Sequence, residues 1–154
     1  MFTPSTVPIV PFESARSHKP IILLVEDESV VREVTRQVLE HAGYEVLESD
    51  GPRDAMRLAE VHQGRIALLL SDVVMPEMSG IDLARSIQRT QPWLATVFMS
   101  GYANQVVSRH GECVSFGSYI QKPFTVDALL TGVADALAQS AAAGQRNRRG
   151  LLQV

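Results

Sequence analysis

The sequence predicts an α/β fold in which a parallel sheet is covered by helices on both faces. Three observations support this prediction. Near-continuous apolar runs indicate strands that are buried on both faces of a sheet. These runs alternate with segments of helical period, as βαβ crossovers require. Four of the runs lead directly into polar or charged side chains, in segments 21–27, 66–72, 95–100 and 119–122.

The pattern predicts five strands and five helices in alternation. The strands are predicted at residues 21–26, 44–48, 66–71, 94–99 and 118–121. The helices are predicted at about residues 29–42, 52–62, 79–90, 103–109 and 125–140. The helix at 103–109 is short, because the stretch between Tyr102 and Tyr119 contains two glycines and three serines, which favour a loop.

Apolar residues at helical spacing support the first and last helices. Val30, Val34 and Val38 fall at i, i+4 and i+8, and a similar series starts at Val126 and ends at Leu137. Each series makes one apolar stripe along a helix. Two capping residues are also predicted: Gly43 as the C′ residue of the first helix and Thr125 as the N-cap of the last.

The chain divides into one domain with two extensions. Residues 1–19 mix Pro, Ser and Thr without a sustained period and predict a flexible tail or linker. Residues 20–140 form the predicted domain. Residues 141–154 are rich in Ala, Gly and Arg, so we expect the last helix to fray there and the segment to be a flexible tail.

Composition excludes several classes of protein. The net charge of −3 gives no global attraction to nucleic acid or to an anionic membrane. The lone Cys113 excludes an internal disulfide framework and a four-cysteine zinc site. No apolar run approaches the roughly 20 residues that span a bilayer, and prolines interrupt the N-terminus where a signal peptide needs an apolar segment. We therefore expect a cytoplasmic protein without nucleic-acid or membrane partners.

Three acids are predicted to meet at the carboxyl edge of the sheet. Glu26 and Asp27 follow the first strand, and Asp72 closes the most apolar strand. Each acid alone would be interpreted as a loop residue or a helix cap. Together, however, they crowd negative charge at one place, and open α/β sheets bind ligands at this edge. Carboxylate oxygens are the ligands that Mg²⁺ prefers, so the sequence predicts Mg²⁺ as the cofactor.

With a metal bound, Asp72 is the candidate nucleophile for a phosphoryl group, because aspartyl phosphate is an established covalent species. Phosphoryl transfer also needs a cation and a hydrogen-bond donor near the transferred oxygens. Lys122 and Ser100 follow neighbouring strands and supply these groups. In isolation, Lys122 would be interpreted as a solvated surface lysine and Ser100 as a helix cap. Pro123 restricts the direction of the lysine backbone.

The ordered set of motifs resembles the receiver domain of response regulators in two-component signalling, over about residues 20–139. By this resemblance, Glu26 and Asp27 match the acidic pair for Mg²⁺ and Asp72 matches the phosphoacceptor. Val74 matches the position whose backbone carbonyl completes the metal site. The resemblance also implies a doubly wound, five-stranded, flavodoxin-like sheet of strand order 2-1-3-4-5.

Further positions match the switch residues of the family. Ser100 resembles the switch hydroxyl, Tyr119 the switch aromatic and Lys122-Pro123 the Lys-Pro pair. The loop 75–80 is also similar to that of receivers. The resemblance implies that a histidine kinase or a phosphotransfer protein donates a phosphoryl group to Asp72. Ser100 then moves toward that group and Tyr119 moves inward, which changes a face formed by the helix at 103–109, the last strand and the last helix.

Two departures from the family pattern lead to expectations of their own. The short helix at 103–109 predicts a smaller or differently shaped output face. Val74 and Tyr102 lie two residues beyond Asp72 and Ser100, beside the expected path of a hydrolytic water. Neither side chain positions water well, so we expect a slow loss of phosphate.

Other classes fit the sequence less well. A magnesium phosphatase with an aspartate nucleophile would need an acid at Val74, and a dinucleotide enzyme would need glycines where residues 26–28 are acidic. The alternative that stays open is a phosphate-independent interaction module. Few residues follow the last helix, and the run 98–103 is similar to that of receivers in hybrid histidine kinases. We therefore expect a stand-alone receiver or the receiver part of a hybrid kinase. Its downstream partner is unknown, and a homodimer stays open.

Overall fold

The computed structural model describes residues 18–101 and 117–151. The strands of this part form one parallel sheet in the order β2-β1-β3-β4-β5. They are β1 (Ile21–Val25), β2 (Glu45–Ser49), β3 (Ile66–Asp72), β4 (Ala95–Ser100) and β5 (Ser118–Gln121). The predicted fold class and strand order are confirmed, with each strand within about one residue of its predicted bounds.

Four helices are described. They are α1 (Ser29–His41), α2 (Pro52–Val61), α3 (Gly80–Gln88) and α4 (Val126–Leu151). The helix predicted at 103–109 lies outside the described residues, as do Tyr102 and Cys113. No helix within the two described stretches has both the length and the apolar character that crossing a membrane requires.

Two apolar cores cover the two faces of the sheet. Successive residues of β1 alternate between them, since Leu23 packs in one core and Leu24 in the other. The first core joins the sheet to α2 and α3, and the second joins it to α1 and α4. This alternation follows from the period of a β-strand, whose side chains point to opposite faces in turn. The central strands are thereby packed on both faces, and their carboxyl ends meet at one edge.

Both predicted caps are present. Gly43 has φ +102°, a conformation that favours glycine, and its N–H donates to the carbonyl of Glu40 at 3.0 Å. The Oγ1 atom of Thr125 accepts a hydrogen bond from the backbone N–H of Ala128 at 3.1 Å.

Two of the three valines in the predicted stripe of α1 do not face the sheet. Val30 and Val34 are 72% and 54% exposed, whereas Thr35 and Leu39 are buried. Val31 and Val38 share the inner face with these two residues, so this stripe also has helical spacing. Thr35 can be buried because its hydroxyl donates to the carbonyl of Val31 at 2.7 Å. The inner stripe thus shares Val38 with the predicted one, but has Val31 and Thr35 in place of Val30 and Val34.

The prediction that the last helix ends near residue 140 is wrong. α4 continues to Leu151. The apolar stripe ends at Leu137, so periodicity gives no signal beyond it. The alanines at 141–143 nevertheless have the highest helix propensity of any residue type, and no proline follows. Ser140 anchors this part of the helix, since its hydroxyl donates to the carbonyl of Trp93 at 3.0 Å. The division into residues 1–19, 20–140 and 141–154 stays a prediction.

Candidate functional site

The structure brings the predicted site residues together at the carboxyl edge of the sheet. Glu26 follows β1, Asp72 is the last residue of β3, Ser100 is the last of β4 and Lys122 follows β5. The parallel register places these strand ends side by side. Residues that are distant in the chain thus form one site because the strands that carry them share a direction.

Three carboxylates form the acidic part of the site. One oxygen each from Glu26, Asp27 and Asp72 lie within 4.8 Å of one another. The three side chains differ in exposure: Glu26 is fully buried, Asp72 is 8% exposed and Asp27 is exposed to solvent. Such an oxygen-rich set with one open side fits a hard divalent cation. These residues could therefore hold a metal ion, and their chemistry agrees with the predicted Mg²⁺.

Lys122 bridges two of these acids. Its Nζ atom donates to Oε2 of Glu26 at 2.5 Å and to Oδ2 of Asp72 at 3.1 Å. Both pairs are mostly withdrawn from solvent, which strengthens the attraction between their charges. The peptide bond between Lys122 and Pro123 is cis. The lysine thus compensates negative charge from both β1 and β3.

Burial and mutual contact shift the pKa values of Glu26, Asp72 and Lys122. Burial raises the pKa of Glu26 and of Asp72 above their ordinary values, although the hydrogen bonds and charge of Lys122 act in the opposite direction. Burial alone would lower the pKa of Lys122, but the hydrogen bond to Glu26 and the charge of Asp72 outweigh it and raise this pKa. The lysine therefore stays protonated, while the two acids are held less favourably as anions.

The loop between β3 and α3 fixes the backbone around Asp72. Val73 donates its N–H to the carbonyl of Met99 at 3.0 Å, and Gly80 donates to the carbonyl of Val73 at 2.8 Å. A Cβ atom on Gly80 would lie only 2.0 Å from the carbonyl oxygen of Asp72. Glycine is required here because the start of α3 passes directly against the candidate phosphoacceptor.

Val74 lies on the open side of this loop. Its backbone hydrogen-bonds to the Asp72 carboxylate, and its side chain is 60% exposed. Nothing in the described structure tests the predicted role of its carbonyl as a metal ligand, so that role stays a prediction.

Ser100 and Tyr119 are in direct contact. The Tyr119 hydroxyl donates to the carbonyl of Ser100 at 3.0 Å, and the N–H of Lys122 donates to the same carbonyl at 2.8 Å. Ser100 is buried and Tyr119 is half-buried. The sequence motif predicted a functional relation between these residues but not this shared acceptor.

Arg32 is a site neighbour that sequence reasoning missed. Its Nη1 atom donates to the backbone carbonyl of Glu26 at 2.8 Å. The signal in the sequence was weak, since an arginine in the second turn of a helix is ordinarily a solvated surface residue.

An apolar groove of about 440 Å³ adjoins the site. It lies between α1 and the segment after β5, and it is lined by Glu28, Val30, Val31, Val34, Thr35, Lys122, Pro123 and Phe124. Lys122 belongs both to this groove and to the acidic site, so the two are continuous.

Comparisons with known proteins agree with this geometry. The sequence profile of the response regulator receiver domain matches residues 22–134. Sensor kinase CckA of Brucella abortus (strain 2308) is 36% identical over 116 residues, which cover 75% of this chain and 12% of CckA. Response regulator receiver protein CpdR of the same organism is 35% identical over 103 residues, which cover 67% of this chain and 84% of CpdR.

Solved structures give the same result. The crystal structure of the receiver domain from hybrid histidine kinase CckA has 33% identity and a TM-score of 0.66, covering 76% of this chain and 98% of that domain. Vibrio cholerae chemotaxis protein CheY4, at 23% identity and a TM-score of 0.69, shares the fold and covers 77% of this chain and 98% of its own. The predicted similarity to receivers of hybrid kinases is confirmed. The chain belongs to the response regulator receiver domain family of two-component signalling.

Proposed function

We propose that this receiver works as a switch that accepts a phosphoryl group on Asp72 from a phosphohistidine of a histidine kinase or a phosphotransfer protein. A carboxylate oxygen of Asp72 forms the new O–P bond as the N–P bond of the donor breaks, and the electron pair of that bond stays on the imidazole nitrogen. The domain acts on itself in this reaction and in the later hydrolysis, so we propose no separate enzymatic substrate.

The contacts of Lys122 carry this proposal. A single ammonium group touches acids from β1 and β3, which are 46 residues apart in sequence, and a third acid lies within the same 4.8 Å cluster. Glu26, Asp27 and Asp72, with the carbonyl of Val74, would hold Mg²⁺. When bound, the ion would neutralise charge on the transferring phosphoryl group. Lys122 would offset the remaining charge near Asp72.

Ser100 and Tyr119 would transmit the change in charge at Asp72 to the protein surface. The Ser100 hydroxyl would donate to an oxygen of the phosphoryl group, and this would pull the end of β4 toward Asp72. The carbonyl that holds the Tyr119 hydroxyl belongs to the same residue, so the aromatic ring would respond to that movement. A local change in charge would thus alter the surface near β5 and α4, where a downstream partner binds.

The groove beside Lys122 supports a protein phosphodonor. It presents Val30 and Val34, both well exposed, next to a residue of the acidic site. A partner that covers these valines would place its phosphohistidine close to Asp72. We propose that the chain serves as a stand-alone receiver or as the receiver of a hybrid kinase, and the resemblance to CpdR and to CckA supports each in turn. A cytoplasmic location stays an expectation from the sequence.

The proposal is tested by incubation with Mg²⁺ and phosphoramidate, followed by intact mass measurement of wild type and Asp72→Asn. We expect one added phosphoryl group on wild type and none on the variant. Beryllofluoride with Mg²⁺ provides a second measurement, since it should change the NMR spectrum of wild type around Asp72. No added mass and no spectral change in wild type would instead favour the phosphate-independent interaction module.

A further inference from the structure

Glu26 is a completely buried residue in which each polar atom has a partner. Its N–H donates to the carbonyl of Ser49 at 3.1 Å. Its carboxylate accepts from the N–H of Glu28 at 3.2 Å through Oε1 and from Lys122 through Oε2. Its carbonyl accepts from Arg32 at 2.8 Å. The position of Glu26 is therefore fixed by four separate contacts, two with backbone N–H or carbonyl groups and two with the side chains of Lys122 and Arg32.

Arg32 closes the turn that carries the two first-strand acids. Its backbone N–H donates to the carbonyl of Glu28 at 2.9 Å, and its guanidinium reaches back to the carbonyl of Glu26. Arg32 therefore hydrogen-bonds to Glu26 and to Glu28, the two residues that flank Asp27. The Asp27 side chain is exposed to solvent, so packing against other residues does not fix its position. A charged donor on a buried carbonyl is a strong hydrogen bond, and losing it leaves that carbonyl unpaired.

We infer that Arg32 is a positioning residue for the metal site, which holds the Glu26–Asp27 segment in the geometry that binds Mg²⁺. This inference rests on the proposed function. Groups that hold metal ligands in place through hydrogen bonds affect affinity even though they do not touch the ion. Arg32 acts on Glu26 through the main chain, so its effect reaches both acids of the pair.

The test compares Arg32→Met with a matched variant, Arg36→Met. Both substitutions remove one arginine from α1 and retain an unbranched side chain of good helix propensity. Arg36 instead forms ion pairs with Glu40 and Glu48 on the surface. Any loss of affinity that comes only from the change in net charge would therefore appear in both variants.

The measurement is a titration with MgCl₂, followed by two-dimensional ¹H–¹⁵N NMR of the folded protein. We expect the Mg²⁺ affinity of Arg32→Met to fall by about 10-fold, while Arg36→Met stays close to wild type. Arg32→Lys, which keeps a cationic donor, should recover part of the loss. The rate of phosphorylation by phosphoramidate should return toward the wild-type value when Mg²⁺ is raised to saturation, as expected for a defect in metal binding alone.

Several outcomes would overturn the inference. Equal affinities for Arg32→Met and Arg36→Met would show that the contact does not position the site. Unfolding of Arg32→Met and Arg32→Lys at the titration temperature, or a rate that saturating Mg²⁺ fails to recover, would show a general structural role instead. Failure of wild type itself to bind Mg²⁺ would refute the proposed function, and the two failures are thereby distinguished.

Discussion

The two edges of the sheet bury polar groups in different ways. At the carboxyl edge, Glu26, Asp72 and Lys122 are ionisable and come from three separate parts of the chain. At the amino edge, Gln91 is 1% exposed and neutral, and its Nε2 donates to the carbonyl of Ala59 at 3.1 Å. Its Oε1 finds no hydrogen-bond partner within the described residues.

This difference distinguishes the ionisable candidate site from a contact that joins two elements of the fold. Ala59 lies in the last turn of α2, where carbonyls lack partners inside the helix, so Gln91 ties α2 to the loop before β4. Burying a neutral amide for this purpose costs less than burying charges. Within residues 18–101 and 117–151, the buried charged residues are Glu26 and Asp72, which lie at the edge where the acids and the lysine meet. Variants at the two edges should accordingly affect different properties.

The largest expected effect is that of Lys122→Met on phosphorylation. Loss of the ammonium group leaves charge on the transferring group uncompensated, so we expect a rate with phosphoramidate about 100-fold lower than that of wild type. The rate is measured by intact mass over time. Lys19 is the other lysine of the chain and is exposed, and Lys19→Met is therefore the control. A rate for Lys122→Met within a few-fold of the control would contradict the assignment.

Gly80→Ala should show that the carboxyl edge is also sensitive to packing. The added methyl group would meet the Asp72 carbonyl at 2.0 Å, and the backbone must move to accommodate it. We expect a loss of about 1–3 kcal/mol in the free energy of unfolding, measured in urea. In Gly101→Ala the added methyl group meets no atom of residues 18–101 or 117–151 within 4 Å, so this control should change stability far less. Equal stabilities of the two variants would argue against the close approach.

Gln91→Met, at the amino edge, should lower the stability of the fold without changing phosphorylation, in contrast to Lys122→Met. It removes the hydrogen bond to Ala59, so we expect the free energy of unfolding to fall by about 1 kcal/mol. Phosphorylation of the folded variant should proceed at the wild-type rate, because Gln91 lies at the other edge of the sheet. Gln63→Met, at an exposed position, controls for the change of residue type. A clear loss of phosphorylation in Gln91→Met would show that the two edges are not independent.

The smallest expected effect is on the lifetime of the phosphorylated state. Val74 is exposed beside Asp72 and offers no group to position water. We expect Val74→Asn to shorten the lifetime a few-fold, because an amide can orient a water molecule toward the phosphoryl group. Decay is followed by intact mass after removal of phosphoramidate. Tyr102→Ala tests the second predicted position, and an unchanged lifetime in both variants would contradict the prediction.

The centre of the fold and the composition of the site were predictable from sequence. β1, β3 and β4 are buried on both faces, so their apolar runs are nearly continuous and end where the side chains of the candidate site begin. A parallel sheet then requires those ends to meet. Asp72 and Ser100, each the last residue of its strand, followed from that single inference.

Other features could not be predicted, because they depend on how elements pack. Two stripes of α1, which share Val38, have helical spacing, and spacing alone does not decide which one packs against the sheet. The end of α4 was missed because its last turns depend on helix propensity rather than on an apolar stripe. The contact of Arg32 with Glu26 is one side chain reaching one backbone atom, for which spacing provides no signal.

The carbonyl of Ser100 accepts from two donors on the segment 119–122, the hydroxyl of Tyr119 and the amide of Lys122. One peptide oxygen is thus the shared hydrogen-bond acceptor of the tyrosine hydroxyl and of the lysine backbone amide. Any tilt of that peptide plane changes both bond lengths at once. The ring and the lysine are therefore mechanically linked, although their side chains end in different surroundings.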